Sequence, residues 1–215
     1  MTGQLVGSAG LEGRPEAATC RLYLVRHGTN AVSTENRYRG RRDIPLDVQG
    51  YEDAAQASQA LSEAGLAAVY TSPLRRAVAT AQIIADAARV PDVRILPGLN
   101  NLDYGAWEGM TAAEAGRYDP AGFALYRNSP SLATCPGGER LIDAQRRMLA
   151  ALSLIGSRHG GEAVAAVTHA VMVRLITLHV SGAEDESWRL PASAGPIAEV
   201  RVGGGLIEPV AVLGA

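Results

Sequence analysis

Short apolar runs alternate along the chain with segments of helical periodicity. The apolar runs are rich in strand-forming residues, and they predict strands at residues 21–26, 67–71, 93–96 and 163–168. We expect the first of these strands to be central in the sheet. Two further runs, at residues 197–202 and 206–213, predict one or two additional strands, and the three glycines at 203–205 suit a tight turn between them.

Apolar positions three and four residues apart predict four main helices between these strands. They cover residues 51–64, a segment that opens at Ser72-Pro73, residues 140–157 and residues 171–180. We expect Ser72 to be the N-cap of the second helix, with Pro73 at its first helical position. Residues 110–136 contain three prolines and predict short helical pieces inserted over one face of the sheet.

Strands that alternate with helices predict an α/β fold, here a three-layer α/β/α sandwich around a mainly parallel sheet, with a small helical insertion. A length of 215 residues is ample for one core, so we expect a single domain over residues 21–215. Residues 1–20 lack a basic start followed by an apolar run, which predicts a disordered tail and not a signal peptide. No stretch approaches 18 consecutive apolar residues, which argues against a membrane span.

The amino-acid composition limits the kinds of ligand that this protein is expected to bind. All 20 basic residues are arginines, so any site for an anion must use the planar, permanently charged guanidinium group. A net charge of −2 and a pI near 6.1 argue against nucleic acid as a partner. The two cysteines, Cys20 and Cys135, are far apart in sequence, which predicts a reduced, cytoplasmic protein without a zinc site. No motif predicts a metal or another cofactor.

Three polar clusters stand where predicted strands end. They are Arg26-His27-Gly28, the turn from Ser72 to Arg76, and Thr168-His169. Sheets of this kind bind ligands at the carboxyl ends of their strands, so we expect the three clusters to meet. Two histidines and two arginines at one point would bind a phosphoryl group and offer it a nitrogen nucleophile.

Six sequence blocks carry a resemblance to a known family. They are LYLVRHG at 22–28, Arg37 and Gly40 with DIPLDVQG at 43–50, TSPLRRAVATA at 71–81, DYGAWEGMT at 103–111, PGGERLIDAQRRM at 136–148 and VAAVTHAVMVRLI at 164–176. In this order and spacing they resemble the histidine phosphatase superfamily, also called phosphoglycerate mutase-like. RHG alone is a common tripeptide, whereas six ordered blocks are a specific signal.

The resemblance implies a phosphatase that acts on a small phosphorylated metabolite. His27 would attack phosphorus and form a phosphohistidine, which water would then hydrolyse. Arg26 and Arg76 correspond to the family's phosphate-binding arginines, and His169 corresponds to its second histidine. Such a reaction depends on positioning and electrostatics, and it needs no metal.

One departure from the family pattern concerns proton transfer. Most relatives carry Glu or Asp, as general acid for the leaving group, where this chain has Asn101. General acid catalysis typically contributes about 10²–10⁴-fold, and an amide cannot supply it. Three explanations stay open: Asp103 supplies the proton, the leaving group needs little protonation, or the chemistry is altered.

Smaller departures from the family pattern change individual residues around the expected pocket. Asn30 and Ser33 stand where the family has Thr and Asn, Arg39 replaces a Gln, and Ala170 replaces a Gly. Asn30 and Ser33 can both still hydrogen-bond a phosphate. With Arg37, Arg41 and Arg42, Arg39 forms either a solvated loop or a site for a second anionic group. Glu139 would order its loop or contact substrate, and Tyr104 and Trp107 either line the pocket or pack beneath the loop.

The sequence leaves other functions open. A phosphomutase is disfavoured because only about 26 residues separate Gly109 from the PGGE segment, whereas mutases of the family tend to carry a longer cap. The amide at Asn101 also fits a protein that binds phosphorylated ligands without hydrolysing them, or a repurposed biosynthetic enzyme. A homodimer is compatible with the sequence.

Overall fold

A computed structural model describes residues 18–32, 35–183, 187–188 and 196–213 of the chain. Residues 1–17 of the predicted tail lie outside the described part. The first strand begins at Cys20, one residue earlier than predicted, and this cysteine is fully buried.

The described residues form six strands and six α-helices in the order that the sequence predicts. The strands are β1 (Cys20–Arg26), β2 (Leu66–Thr71), β3 (Val93–Ile95), β4 (Ala163–Thr168), β5 (Ile197–Gly203) and β6 (Leu206–Leu213). The helices are α1 (Val48–Ala60), α2 (Arg75–Ala88), α3 (Ala112–Tyr118), α4 (Pro120–Asn128), α5 (Leu141–Arg158) and α6 (Ala170–Val180). Helices α3 and α4 and a 3-10 turn at Pro130–Leu132 form the predicted insertion.

The strands form one mixed sheet in the order β3-β2-β4-β1-β5-β6. Strands β1 to β4 pair in parallel, whereas β5 and β6 are antiparallel additions at one edge. Positive φ angles at Gly204 and Gly205 allow the tight turn between β5 and β6. Strand β1 therefore lies inside the sheet, as predicted, and the predicted α/β fold with a mainly parallel sheet is confirmed.

Alternation of side chains along the strands creates two apolar layers, because successive residues of a strand point to opposite faces. Leu22 and Leu24 of β1 belong to a cluster that includes α5 and α6. Tyr23 and Val25 belong to a second cluster, which includes α1 and α2. The helices thus cover both faces of the sheet, which gives the predicted three layers.

Two predicted helix starts are wrong. Helix α1 begins three residues before the predicted position, because Asp47 caps it by accepting a hydrogen bond from the Gly50 amide at 2.8 Å. Helix α2 has Leu74 as its N-cap in place of Ser72. The Ser72 hydroxyl makes a different contact, described below. Within the described residues, none of the helices is long and apolar enough to cross a membrane.

Candidate active site

The three polar clusters meet at the carboxyl edge of the sheet. Strands β1 and β4 are neighbours, and the His27 amide extends their pairing by donating to the Thr168 carbonyl oxygen at 3.0 Å. This register brings the rings of His27 and His169 together, with their centroids 5.0 Å apart. Strand β2 lies on the other side of β4 and leads through Ser72 to Arg76. The sheet order therefore places the two histidines and Arg76 at one point.

His27 has one ring nitrogen fixed and the other facing Arg76. Its Nδ1 lies 2.6 Å from the carbonyl oxygen of Gly28, which can only accept, so Nδ1 carries the proton. Its Nε2 carries no proton, and its lone pair accepts a hydrogen bond from Arg76 Nε at 3.1 Å. Burial and the neighbouring Arg76 cation lower the pKa of His27 from 6.5 to about 3. The imidazole is therefore neutral at physiological pH, which is the nucleophilic form.

Arg76 is fully buried, and it forms no ion pair within 4.0 Å among the described residues, although Asp43 and Glu108 raise its pKa from a greater distance. Its two Nη atoms donate to the carbonyl oxygens of Arg42 and Gly40 at 2.7 and 3.0 Å, which orients the guanidinium towards His27. Burial and the nearby Arg39 cation lower its pKa to about 10, so it stays charged at neutral pH. A buried cation without a direct ion pair, placed beside a neutral imidazole, is suited to an anionic ligand.

His169 is held by the serine that the sequence predicts as a helix cap. Its Nε2 lies 2.8 Å from Ser72 Oγ, whereas its buried Nδ1 has no hydrogen-bond partner among the described residues. Burial and the adjacent His27 lower the pKa of His169 well below its usual value. Both imidazoles are therefore neutral in the absence of a ligand.

The loop after β1 packs too closely on α1 to tolerate a side chain. A Cβ on Gly28 would overlap the carbonyl oxygen of Gly50, and one on Gly50 would overlap the carbonyl oxygen of Thr29. The Gly28 amide also donates to Thr80 Oγ1 of α2 at 3.2 Å. These contacts fix the carbonyl oxygen that determines the His27 tautomer.

The predicted arginines take different positions around the cleft. Arg26 is exposed at the end of β1 and lines the cleft beside His27. Arg39 also lines it, and its buried Nε has no hydrogen-bond partner among the described residues. Arg37 reaches the cleft but is paired with Glu114 at 2.8 Å. Arg41 lies outside and pairs with acidic residues, so the structure divides the arginine cluster between cleft and rim.

Asn101 faces the cleft and Asp103 does not. The Asn101 side chain is buried; its Nδ2 donates to the Gly40 carbonyl oxygen at 2.8 Å and its Oδ1 accepts from the Leu102 amide at 3.0 Å. Asp103 lies 3.3 Å from Arg41 and accepts from the Gly105 amide at 3.0 Å. The structure thus does not bring Asp103 to the other predicted catalytic residues.

Glu139 orders the loop that contains Asn101. Its two carboxylate oxygens bind Arg147 of α5 at 2.7 and 3.0 Å. The Arg147 guanidinium in turn donates to the carbonyl oxygens of Gly98, Asn100 and Asn101. Of the two roles predicted for Glu139, the contacts favour loop ordering, because its carboxylate is fully used inside the protein.

The remaining predicted residues lie at the periphery. Ser33 lies outside the described residues. Asn30 is buried in a bridge to Leu46 and is not among the residues that line the cleft. Tyr104 lines the cleft, whereas Trp107 is completely buried in an aromatic cluster with Tyr38 and residues of the insertion.

Sequence reasoning missed three residues that support the site, namely Ser72 as the partner of His169, Thr80 and Arg147. Ser72 and Thr80 lie in a block that carries the family resemblance, but their partners are far away in the chain. Among the described residues, no three His, Cys, Asp or Glu side chains are grouped as metal ligands.

Comparison with known proteins gives consistent results. A family model of the histidine phosphatase superfamily, branch 1, matches residues 22–210. A metal-independent phosphoserine phosphatase of Arabidopsis thaliana is 30% identical over 184 residues, which are 85% of this chain and 77% of that protein. A bifunctional protein of Mycobacterium tuberculosis is 36% identical over 171 residues, which are 79% of this chain but only 45% of that relative. The structure of Bacillus stearothermophilus YhfR superposes with a TM-score of 0.81 at 34% identity and covers 91% of this chain and 96% of that one.

Proposed function

Because the chain belongs to the histidine phosphatase superfamily, we propose that it hydrolyses a small phosphorylated metabolite through a phosphohistidine formed at Nε2 of His27. One observation carries the proposal. The Nε2 lone pair of a neutral imidazole faces a cleft lined by guanidinium groups, and the opposite ring nitrogen is fixed by Gly28. The Arabidopsis relative, named as a phosphoserine phosphatase that is independent of metal, supports the same type of reaction.

The first step transfers the phosphoryl group to His27. The Nε2 lone pair attacks phosphorus, the bond between phosphorus and the leaving oxygen breaks, and its electron pair departs with that oxygen. The imidazole becomes a cation that keeps its Nδ1 proton. The Gly28 carbonyl oxygen stabilises this cation through the 2.6 Å hydrogen bond, and Arg26 and Arg76 balance the charge on the phosphoryl oxygens.

The second step regenerates the enzyme. Water attacks phosphorus, the N–P bond breaks, and its electron pair returns to Nε2 while both water protons remain on the released dihydrogen phosphate. His169 assists through its buried Nδ1 when Ser72 donates to Nε2, because Nδ1 then carries a proton that can reach a phosphoryl oxygen. No proton needs to enter or leave the protein in this step.

Labelling of the enzyme tests the proposal. Incubation with acetyl [³²P]phosphate and acid-sensitive detection should give a labelled wild-type protein and no label on His27→Ala. His179→Ala is a matched control, because His179 is exposed on α6. A panel of phosphorylated compounds that includes acyl phosphates, phosphoanhydrides and phosphate esters should release inorganic phosphate with wild type and the control, and none with His27→Ala. Equal release by wild type and His27→Ala would refute the proposal, and transfer within one substrate without release would indicate a mutase.

We also propose a cytoplasmic location, supported by Cys20 and Cys135, which are both buried and unpaired. Burial raises the pKa of these thiols to about 11 and about 12, so neither is a reactive thiolate. Cell fractionation tests the location. The homodimer stays a prediction, which sedimentation would test.

A further inference from the structure

The cleft that holds His27 is rich in cations. Its lining consists of Arg26, His27, Arg37, Tyr38, Arg39, Arg76, Asn101, Tyr104, His169, Ala170 and Val171. This set contains four guanidinium groups and, among the described residues, no carboxyl group. The leaving group of any substrate attacked by His27 departs into this environment.

None of the described lining residues is suited to protonate a leaving group near neutral pH. His27 and His169 are neutral and have lowered pKa values, so neither carries a spare acidic proton. Burial raises the pKa of Tyr38 to about 12 and that of Tyr104 further, and the Tyr104 hydroxyl is hydrogen-bonded to Tyr126. An efficient general acid has a pKa near the working pH, which these groups do not have.

The carboxylates around the cleft are engaged by other residues and do not line it. Asp103 is paired with Arg41, Glu139 with Arg147 and Asp43 with Arg75. Glu108 accepts a hydrogen bond from the Arg41 amide at 2.7 Å. Asp53 lines an adjoining cleft that Arg26 and His27 also line. Its carboxylate accepts hydrogen bonds from the Thr29 amide and the Thr29 hydroxyl. Burial opposes ionisation of Asp53, but the hydrogen bonds from Thr29 outweigh it and lower its pKa. Neither Asp53 nor these other carboxylates belong to the lining of the cleft in which His27 faces Arg76.

Arg39 offers the leaving group a charge in place of a proton. Its side chain makes no hydrogen bond or ion pair with the described residues, although its Nε is buried. Burial and the neighbouring Arg26 lower the pKa of Arg39, and its cation in turn lowers the pKa of His27 and Arg76. Arg39 is therefore a close, unneutralised cation that faces the nucleophile and the phosphate-binding arginine.

We infer that the natural substrate is a phosphoanhydride or an acyl phosphate, whose leaving group departs as a stable anion beside Arg39 without being protonated. This inference rests on the proposed function. The lone pair of His27 Nε2 forms the bond to phosphorus, the P–O bond breaks, and its electron pair remains on a phosphate or carboxylate oxygen. A carboxyl group has a pKa of about 4 and a phosphate monoester has a second pKa of about 6, whereas the alcohol released from an alkyl phosphate such as phosphoserine is a far weaker acid. Only the first two leave readily without an acid.

The dependence of rate on leaving-group pKa tests the inference. We would measure kcat/KM at pH 7 for aryl phosphates that span leaving-group pKa values from about 5 to 10, with acetyl phosphate, pyrophosphate and phosphoserine beside them. For wild type we expect a steep fall with rising pKa. In Asn101→Asp, a carboxyl group at the cleft should raise turnover of phosphoserine by about 10²-fold and flatten the dependence. A flat dependence in wild type would overturn the inference.

Acetyl phosphate and pyrophosphate separate the two substrate types. Faster turnover of the first identifies an acyl phosphate, and faster turnover of the second identifies a phosphoanhydride. Arg39→Gln should lower kcat/KM for the preferred one by about 10- to 100-fold. Arg75→Gln is the matched control, because Arg75 is exposed and paired with Asp43. An unchanged rate in Arg39→Gln would show that Arg39 does not stabilise the leaving group.

Failure of the inference can be told apart from failure of the proposed function. If His27 is labelled but the rate does not depend on leaving-group pKa, the phosphohistidine pathway is supported and only the inferred substrate class is wrong. If no phosphoryl donor labels His27, the proposed function itself is refuted.

Discussion

Replacement of His27 by Gln should make the stability of the protein less sensitive to acid. The pKa of His27 falls from 6.5 in the unfolded chain to about 3 in the folded protein, because the ring is buried beside Arg76. Between these two values the unfolded chain binds a proton that the folded protein does not bind. Stability from the neutral imidazole is therefore complete above pH 6.5 and is lost as the pH falls towards 3.

The size of the effect follows from the two pKa values. Each pH unit between them removes about 1.4 kcal/mol from the free energy of unfolding. From pH 6.5 to 4.5 the loss is about 2 kcal/mol, since half of the unfolded chains already carry the proton at the upper value. His169 contributes in the same direction, because burial also lowers its pKa.

Urea unfolding in buffers without phosphate or sulfate measures this quantity. The free energy of unfolding is determined at pH 6.5 and at pH 4.5 for wild type, His27→Gln and His179→Gln. Carboxylates titrate equally in all three proteins, so only the difference between the two pH values is compared. Wild type and the exposed His179→Gln control should each lose about 2 kcal/mol more than His27→Gln. Equal losses in all three would mean that His27 keeps an ordinary pKa and would refute the electrostatic account of the nucleophile.

Three further predictions concern the supports of the site. Arg76→Lys should lower kcat/KM by about 10²-fold or more in steady-state assays, because an ammonium group cannot bind two loop carbonyls and a phosphoryl group in one plane. Gly28→Ala should lower both thermal stability and activity, because its Cβ overlaps the carbonyl oxygen of Gly50; a fully active, equally stable variant would contradict the close approach. Glu139→Gln should lower the free energy of unfolding by about 1.5 kcal/mol in urea, because it removes the charge that binds Arg147 and leaves that guanidinium only its backbone acceptors.

Much of the fold was predictable because it depends on local periodicity. Strands that alternate with helices restrict the chain to a parallel sheet covered on both faces, and the polar residues at strand ends then have to converge. His27, Arg76 and His169 were found in this way. Their convergence follows from the adjacency of β1, β4 and β2, which right-handed crossover connections favour.

The errors arise where contacts are long-range. Ser72 has the residue type of a helix cap, but its hydroxyl contacts His169, 97 residues away, and α2 begins later as a result. Asp103 and Asn101 are two residues apart, a spacing that would place both side chains on one side of an extended segment. Arg41 and Arg147 decide the outcome, since they hold the Asp103 carboxylate and the Asn101 carbonyl oxygen outside the cleft.

In the proposed reaction, the hydrogen bond from Arg76 Nε to His27 Nε2 would also protect the nucleophile between turnovers. In the ligand-free protein the reactive lone pair is occupied, and the two Nη atoms of Arg76 are occupied by loop carbonyls. An electrophile without negative charge has no means of drawing the guanidinium away. A phosphoryl dianion does, because it offers Arg76 a stronger acceptor than an imidazole nitrogen. In the proposed reaction, the charge that identifies the substrate would therefore also release the nucleophile.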